Sequence, residues 1–156
     1  YRIFKEEYSL EGVEILHHTE YFARLLSQGR ITMSKETVRY VYHDPCELGR
    51  GCGVYEQPRA VISAAGELVE AAKNRKESIC CGGSLGSLTL GFDKRKAMTD
   101  NAIANLVTES PDEIVTACPL CLSTFSRYSD RPVRDIAEIV DSSVRTTPDS
   151  MNDNNK

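Results

Sequence analysis

Two short runs rich in β-branched and aromatic residues, Thr37–His43 (TVRYVYH) and Glu113–Ala117 (EIVTA), each stop just short of a cysteine, Cys46 and Cys118, and each is followed by a proline, Pro45 or Pro119. Such runs fit a pleated, buried strand. Proline suits the first turn of a helix, where its missing N–H costs nothing. The same strand-then-helix grammar recurs along the chain. Gly12–Thr19 reads as a strand, with Thr19 able to cap a helix whose stripe is Tyr21, Phe22, Leu25 and Leu26 and whose stop is Gly29. A helix near Gln57 and Pro58 carries Val61, Ile62 and Ala65, and Gly66–Ala71 (GELVEA) reads as the next strand. The clearest helix starts at Phe92, with Asp93 as its cap and Met98, Ala102 and Leu106 one turn apart, and Ser110-Pro111 stops it. A helix after Cys121 and a final strand and helix in PVRDIAEIVDSS complete the chain. Strands alternating with helices demand a parallel sheet covered on both sides. The expected fold is therefore α/β: a three-layer domain with a mostly parallel sheet of four to five strands and helices on both faces. It should be one domain over residues 1–145, followed by a polar, Asn- and Asp-rich disordered tail over 146–156.

In open parallel sheets, ligands sit beyond the carboxyl ends of the strands. That rule brings Cys46 and Cys118 to one edge, and the loop carrying Cys80 and Cys81 can reach it. The chain has six cysteines: Cys46, Cys52, Cys80, Cys81, Cys118 and Cys121. With no secretory signal in view they do not read as a disulfide scaffold, and in a reducing cytosol such a set binds metal or does redox work. The formal net charge of −4 argues against a nucleic-acid surface, and the one short basic run, Lys94-Arg95-Lys96, reads as a solvated helix start. No apolar run approaches the ~20 residues a membrane span needs. We expect a cytoplasmic domain that meets a membrane only through partner subunits.

Three chemistries suit these thiols. Cys118-Pro119-Leu120-Cys121 alone serves zinc, iron–sulfur clusters or a thiol–disulfide redox pair. A structural zinc site closes with four ligands, so five convergent thiols leave one over. A redox pair at Cys118 and Cys121 leaves Cys46, Cys80 and Cys81 without a role. An iron–sulfur cluster spreads several irons over a few ångströms, and adjacent Cys80 and Cys81 can then serve different irons. Gly82 and Gly83 would let the backbone turn sharply and bring N–H groups close to the inorganic core.

The segments YHDPCELGRGCGVYEQPR, CCGGSLG and TACPLC resemble the cysteine-rich CCG domain of the heterodisulfide reductase family. That family includes the B and D chains of heterodisulfide reductase, the glycolate oxidase iron–sulfur protein and lactate utilisation protein A. The likeness covers roughly residues 12 to 141 and is to the second of two tandem domains, so it implies the C-terminal half of a larger protein. By position it implies that Cys46, Cys80, Cys81, Cys118 and Cys121 ligate a [4Fe–4S] cluster, of the cubane kind or of the unusual non-cubane kind that cleaves disulfides in heterodisulfide reductases. It also implies partners: a preceding CCG or ferredoxin-like domain, and a flavin-dependent dehydrogenase or other redox subunits. Many relatives have His where this chain has Glu47, and a longer glycine run where it has Ser84 and Leu85. An acid at Glu47, beside an anionic cluster, should disfavour reduction.

The remaining residues have plainer readings. Cys52 reads as a small packed thiol. His43 and Asp44 read as a strand end and a helix cap, with a supporting or proton-supplying role beside the cluster as the alternative. His17 and His18 read as surface or interface residues, and Arg50 and Arg59 as packing and salt-bridge residues or, equally, as neutralisers of cluster charge or binders of an anionic substrate. GGSLG lacks the Lys-Ser/Thr ending of a phosphate-binding loop.

Overall fold

Tyr40 to His43 are buried without interruption, and a strand covered on both faces belongs inside a sheet, not at its edge. A computed structural model describes residues 1–8, 10–83 and 89–146 of the chain. In chain order its elements are α1 (Arg2–Glu6), α2 (His18–Ser27), β1 (Ile31–Met33), β2 (Arg39–His43), α3 (Glu56–Ala65), β3 (Glu67–Val69), α4 (Phe92–Leu106), β4 (Glu113–Thr116), α5 (Pro119–Tyr128), β5 (Val133–Asp135), α6 (Ile136–Ser143) and β6 (Val144–Thr146). The four-stranded sheet runs β3-β2-β4-β5 and all its pairings are parallel. A small antiparallel ribbon, β1 with β6, lies apart from it.

Right-handed crossovers run in opposite directions from β2 to β3 through α3 and from β4 to β5 through α5, which puts these helices on opposite faces. Side-chain alternation shows the result. Tyr40, Tyr42 and Val115 point into a core with Val61, Ile62 and Ala65 of α3 and Ile136, Ile139 and Val140 of α6, and Phe22 and Leu26 of α2 pack against its margin. Val41 and Ile114 point the other way, toward Ala102 and Leu106 of α4 and Phe125 of α5. The expected three-layer α/β architecture is the one observed.

Several local expectations give way. Gly12–Thr19 is not a strand: it has no ladder partner, Gly12 takes a φ of 72°, and Val13 is left exposed. The cap of α2 is His17 rather than Thr19. Its Nδ1 accepts from the Thr19 N–H, and Glu20 accepts from the His17 N–H, closing a reciprocal box. In α4 the cap position is Gly91, Asp93 lies within the first turn, and Thr99 rather than Met98 is the buried residue. Helix α5 begins at Pro119, with Cys118 as its cap residue, before the Cys121 start read from sequence. Asp44 caps no helix; the residues after Pro45 form a series of tight turns, with Gly49 N–H donating to Pro45 O at 2.8 Å and Gly51 N–H to Cys46 O at 3.0 Å. Thr146, the first residue of the expected tail, ends β6; residues 147–156 lie outside the described residues, as do Ser84, Leu85 and Gly86 of the GGSLG stretch.

Candidate metal centre

Strands β2 and β4 lie side by side, with His43 paired to Thr116. From this pair the chain turns outward to β3 on one side and β5 on the other, so their carboxyl ends flank a topological switch point, where a crevice opens in sheets of this kind. The residues that follow the two strands there are Asp44-Pro45-Cys46 and Ala117-Cys118. Cys118 is the cap residue of α5 and Cys121 sits in its first turn. The N–H groups of Leu120 and Cys121 at that helix start favour thiolate at Cys118.

The Cys80–Cys81 loop reaches the same edge because it is stitched to the end of β2. Ser78 Oγ donates to Asp44 O at 3.0 Å, and Arg50 Nη1 donates to Ser78 O at 2.7 Å. Arg75 N–H donates to Asp44 Oδ2 at 2.7 Å. His43 Nε2 lies 3.1 Å from Ile79 O, a carbonyl that can only accept, so Nε2 carries the proton. Burial pushes the His43 pKa down to about 4, which leaves the ring neutral, with Nδ1 buried and unpartnered. From the far side, Thr99 Oγ1 donates to Cys81 O at 2.8 Å. Gly82 holds a φ of 81°, a left-handed turn that glycine makes without strain. A Cβ on Gly83 would strike the Thr124 hydroxyl.

Asp44 is the hub of this stitching. Its two oxygens accept from Arg59 Nη1 and Nη2 at 2.7 and 2.8 Å, and the two side chains are 1% and 5% exposed. Arg59 also donates through Nε to Glu70 at 2.8 Å and through Nη1 to Tyr55 O at 2.8 Å, and lies over the Tyr42 ring. Burial works against its charge, but the bonds to Asp44 and Glu70 outweigh burial and raise its pKa. A buried ion pair is tolerable when its geometry is bidentate and its remaining donors are satisfied, as here.

The sulfurs meet across these segments. Cys121 Sγ donates to Cys81 Sγ at 3.3 Å, and Gly83 N–H points at Cys81 Sγ from 3.4 Å. The Cys121 thiol holds the Cys81 pKa down to about 7 against the effect of burial, with help from Gly83 N–H. It does the same for Cys118, held to about 6, where burial again opposes and the N–H groups of Cys121 and Leu120 assist. Cys121 itself, the shared donor between Cys118 and Cys81, is driven far up. Cys46 is raised by burial and then by the neighbouring charge of Cys80. The five thiols thus form a chain of neighbours running Cys46, Cys80, Cys81, Cys121, Cys118. Among the described residues, no three or more His, Cys, Asp or Glu side chains surround a point suited to a single ion. The donor set fits a multinuclear, thiolate-bound group: soft sulfur ligands, two of them already inclined to ionise, with backbone N–H donors beside them.

Other candidates fall outside this chain of sulfurs. Cys52 packs at the margin of the core and lines a cavity of about 290 Å³ with Tyr1, His17, Leu48, Ala117 and Cys118. Glu47 is exposed and pairs with Arg2 at 3.4 Å, so its charge is partly offset. His17 serves as the cap of α2. The residues sequence reasoning missed are Ser78, Arg75 and Thr99, whose bonds join segments far apart in the chain and leave no local signal.

Comparison with known proteins places the chain in a family. The family called CCG, the cysteine-rich domain, matches residues 40–126. The chain is 37% identical over 137 residues to "EtfAB:quinone oxidoreductase" of Syntrophomonas wolfei, covering 81% of this chain and 19% of that protein. It is 32% identical over 136 residues to one chain of the "Dihydromethanophenazine:CoB--CoM heterodisulfide reductase" of Methanosarcina barkeri, covering 81% and 33%. It is 32% identical over 163 residues to "Probable iron-sulfur-binding oxidoreductase FadF" of Bacillus subtilis, covering 92% and 22%. The chain therefore spans a third or less of the length of these relatives.

Two outcomes follow from the site. Asp44→Ala leaves Arg59 buried without its bidentate partner and should cost about 3–5 kcal/mol in urea unfolding; a loss within experimental error of zero contradicts the hub role. In metal-free protein, alkylation of Cys118 by iodoacetamide should rise through about pH 6, because the thiolate that reacts forms as pH climbs past its depressed pKa. A rise delayed to the ordinary thiol range, about pH 8.5, contradicts the stabilisation of the Cys118 thiolate by the Cys121 thiol and the neighbouring N–H groups.

Proposed function

We propose, from the premise that this chain belongs to the CCG cysteine-rich domain family, that it is an iron–sulfur electron-transfer module of a larger oxidoreductase. The observation that carries this reading is the meeting of sulfurs from three distant segments at one sheet edge, with Cys81 and Cys121 only 3.3 Å apart. Cys46, Cys80, Cys81, Cys118 and Cys121 would hold a [4Fe–4S] cluster, as a cubane or in the non-cubane form that a fifth thiolate allows. Bound there, such a cluster supplies reversible one-electron transfer.

The chain's own residues have defined tasks in this reading. Cys80 and Cys81 present adjacent sulfurs to different irons. The N–H groups of Gly83, Leu120 and Cys121 stabilise thiolate charge. The proton that Cys121 holds must leave when a metal centre binds, so loading should release protons. The Asp44–Arg59 pair, with Ser78 and His43, holds the Cys46 and Cys80 loops in register.

A thiol–disulfide reading has one observation in its favour, the Cys118 thiolate beside the Cys121 thiol. It gives Cys46 and Cys80 nothing to do. A structural zinc site would draw four sulfurs around one point, whereas here they extend along a path.

Residues 1–145 would form one CCG unit, joined in the full protein to a preceding CCG or ferredoxin-like domain and served by a flavin-dependent dehydrogenase or another redox protein. Phe4 and Tyr8, exposed and in ring contact, are available to such a neighbour. No helix among the described residues is long and apolar enough to cross a membrane; membrane association would come through the partners.

Anaerobic reconstitution should give brown protein with about four irons and four sulfides per chain. Cys81→Ala and Cys118→Ala should lose most of the iron, while Cys52→Ala keeps it. Colourless protein carrying stoichiometric zinc, or undiminished iron in both ligand variants, overturns the proposal.

A further inference from the structure

On the sheet face opposite α3, the first two turns of α4 and one side of α5 from Leu120 to Tyr128 line a cavity of about 230 Å³, and the Gly82–Gly83 backbone forms part of its wall. Its charge is one-sided. Arg95 and Lys96 come from α4 and Arg127 from α5, and no carboxylate is among its described lining residues. The chain as a whole carries a net charge of −4, so three cations around one small cavity run against its average.

The cations are incompletely used. Lys96 pairs with Asp100 at 2.7 Å and lies 5.7 Å from the centre of the Tyr128 ring. Arg95 Nε is buried and has no hydrogen-bond partner. Among the described residues, no carboxylate lies within ion-pairing distance of Arg95 or Arg127. A buried guanidinium N–H without an acceptor carries a desolvation cost that an incoming acceptor would relieve. Guanidinium groups match the oxygens of phosphate and carboxylate in both charge and geometry. Beside them stand Phe92 and Leu120, 58% and 49% exposed, large apolar groups left facing solvent at the rim.

We propose that this cavity binds a small molecule bearing a phosphate or carboxylate, its oxyanion held by Arg95 and Arg127 and its apolar or aromatic body laid against Phe92 and Leu120. The occupant would sit against the loop that carries Cys80 and Cys81, since Gly82 follows Cys81 directly and lines the cavity. The site is built from side chains that take no part in the cysteine cluster, so it stands or falls separately from the cluster reading.

Calorimetric titration of the full chain with phenyl phosphate, benzoate and inorganic phosphate tests it. One saturable site for phenyl phosphate or benzoate, with weaker binding of inorganic phosphate, is expected; the tighter of the first two identifies the preferred oxyanion. Arg95→Gln and Arg127→Gln should each weaken that binding about tenfold, the loss of one charge-assisted hydrogen bond. Lys35→Gln, an exposed cation outside the cavity, should leave it unchanged. Arg127 is exposed and should be replaceable without loss of fold, which circular dichroism of both variants checks. The proposal is overturned if none of the three probes saturates a site, or if binding is indifferent to both arginine substitutions.

Discussion

The parallel pairing of β2 with β4 governs the rest of this molecule. Each strand is buried on both faces, and each ends where a cysteine-bearing segment begins. Because the chain departs from this pair in opposite directions, no helix covers the space directly beyond the two carboxyl ends. The sheet topology thus creates the crevice, and the residues immediately following the strands supply its first sulfurs. Had β2 and β4 been separated by another strand, Cys46 and Cys118 would lie about 10 Å apart across the sheet, two strand spacings, before any side chain was placed.

A sheet edge alone does not position the Cys80–Cys81 loop, which has no strand of its own to lead it there. Polar chemistry does that work. Asp44 accepts two bonds from Arg59 and one from Arg75, and its carbonyl accepts from Ser78. Burying this pair costs desolvation, and an apolar substitute of the same volume would hold the core as well or better. An apolar substitute would not set the register between two loops. The pair is therefore better understood as a device for geometry than as a source of stability. Neutral His43, bonded to Ile79 O, extends the same seam toward the cysteines without adding charge beside them.

The central strands, helices α3 and α4 and the alternation that demands a parallel sheet were legible in the sequence, because each depends on local pattern: β-branched runs, apolar residues one turn apart, a stop at Ser110-Pro111. The convergence of Cys46 with Cys118 was legible too, since it follows from topology. The ribbon of β1 and β6 was not, because three-residue strands pairing residues over a hundred positions apart carry no periodic signal. Gly12–Thr19 misled because Val13, Ile15 and Leu16 resemble a strand, while no neighbour with free ladder groups lies beside them. Asp44 misled for a related reason: Asp before Pro has the form of a helix cap, and only the fold reveals that Arg59, 15 residues on, claims both its oxygens. Arg95 looked like one of three solvated cations, and its position beside a cavity emerges only when α4 and α5 are packed together.

The account rests on sulfurs from three segments gripping one multinuclear iron centre. Iron-edge anomalous diffraction from crystals of the protein purified and reconstituted without oxygen tests this most directly. The account predicts a compact group of iron peaks beyond the ends of β2 and β4, bonded to sulfurs of Cys46, the Cys80–Cys81 pair and the Cys118–Cys121 turn. A single zinc peak, or iron bound to only one of these segments, would contradict it.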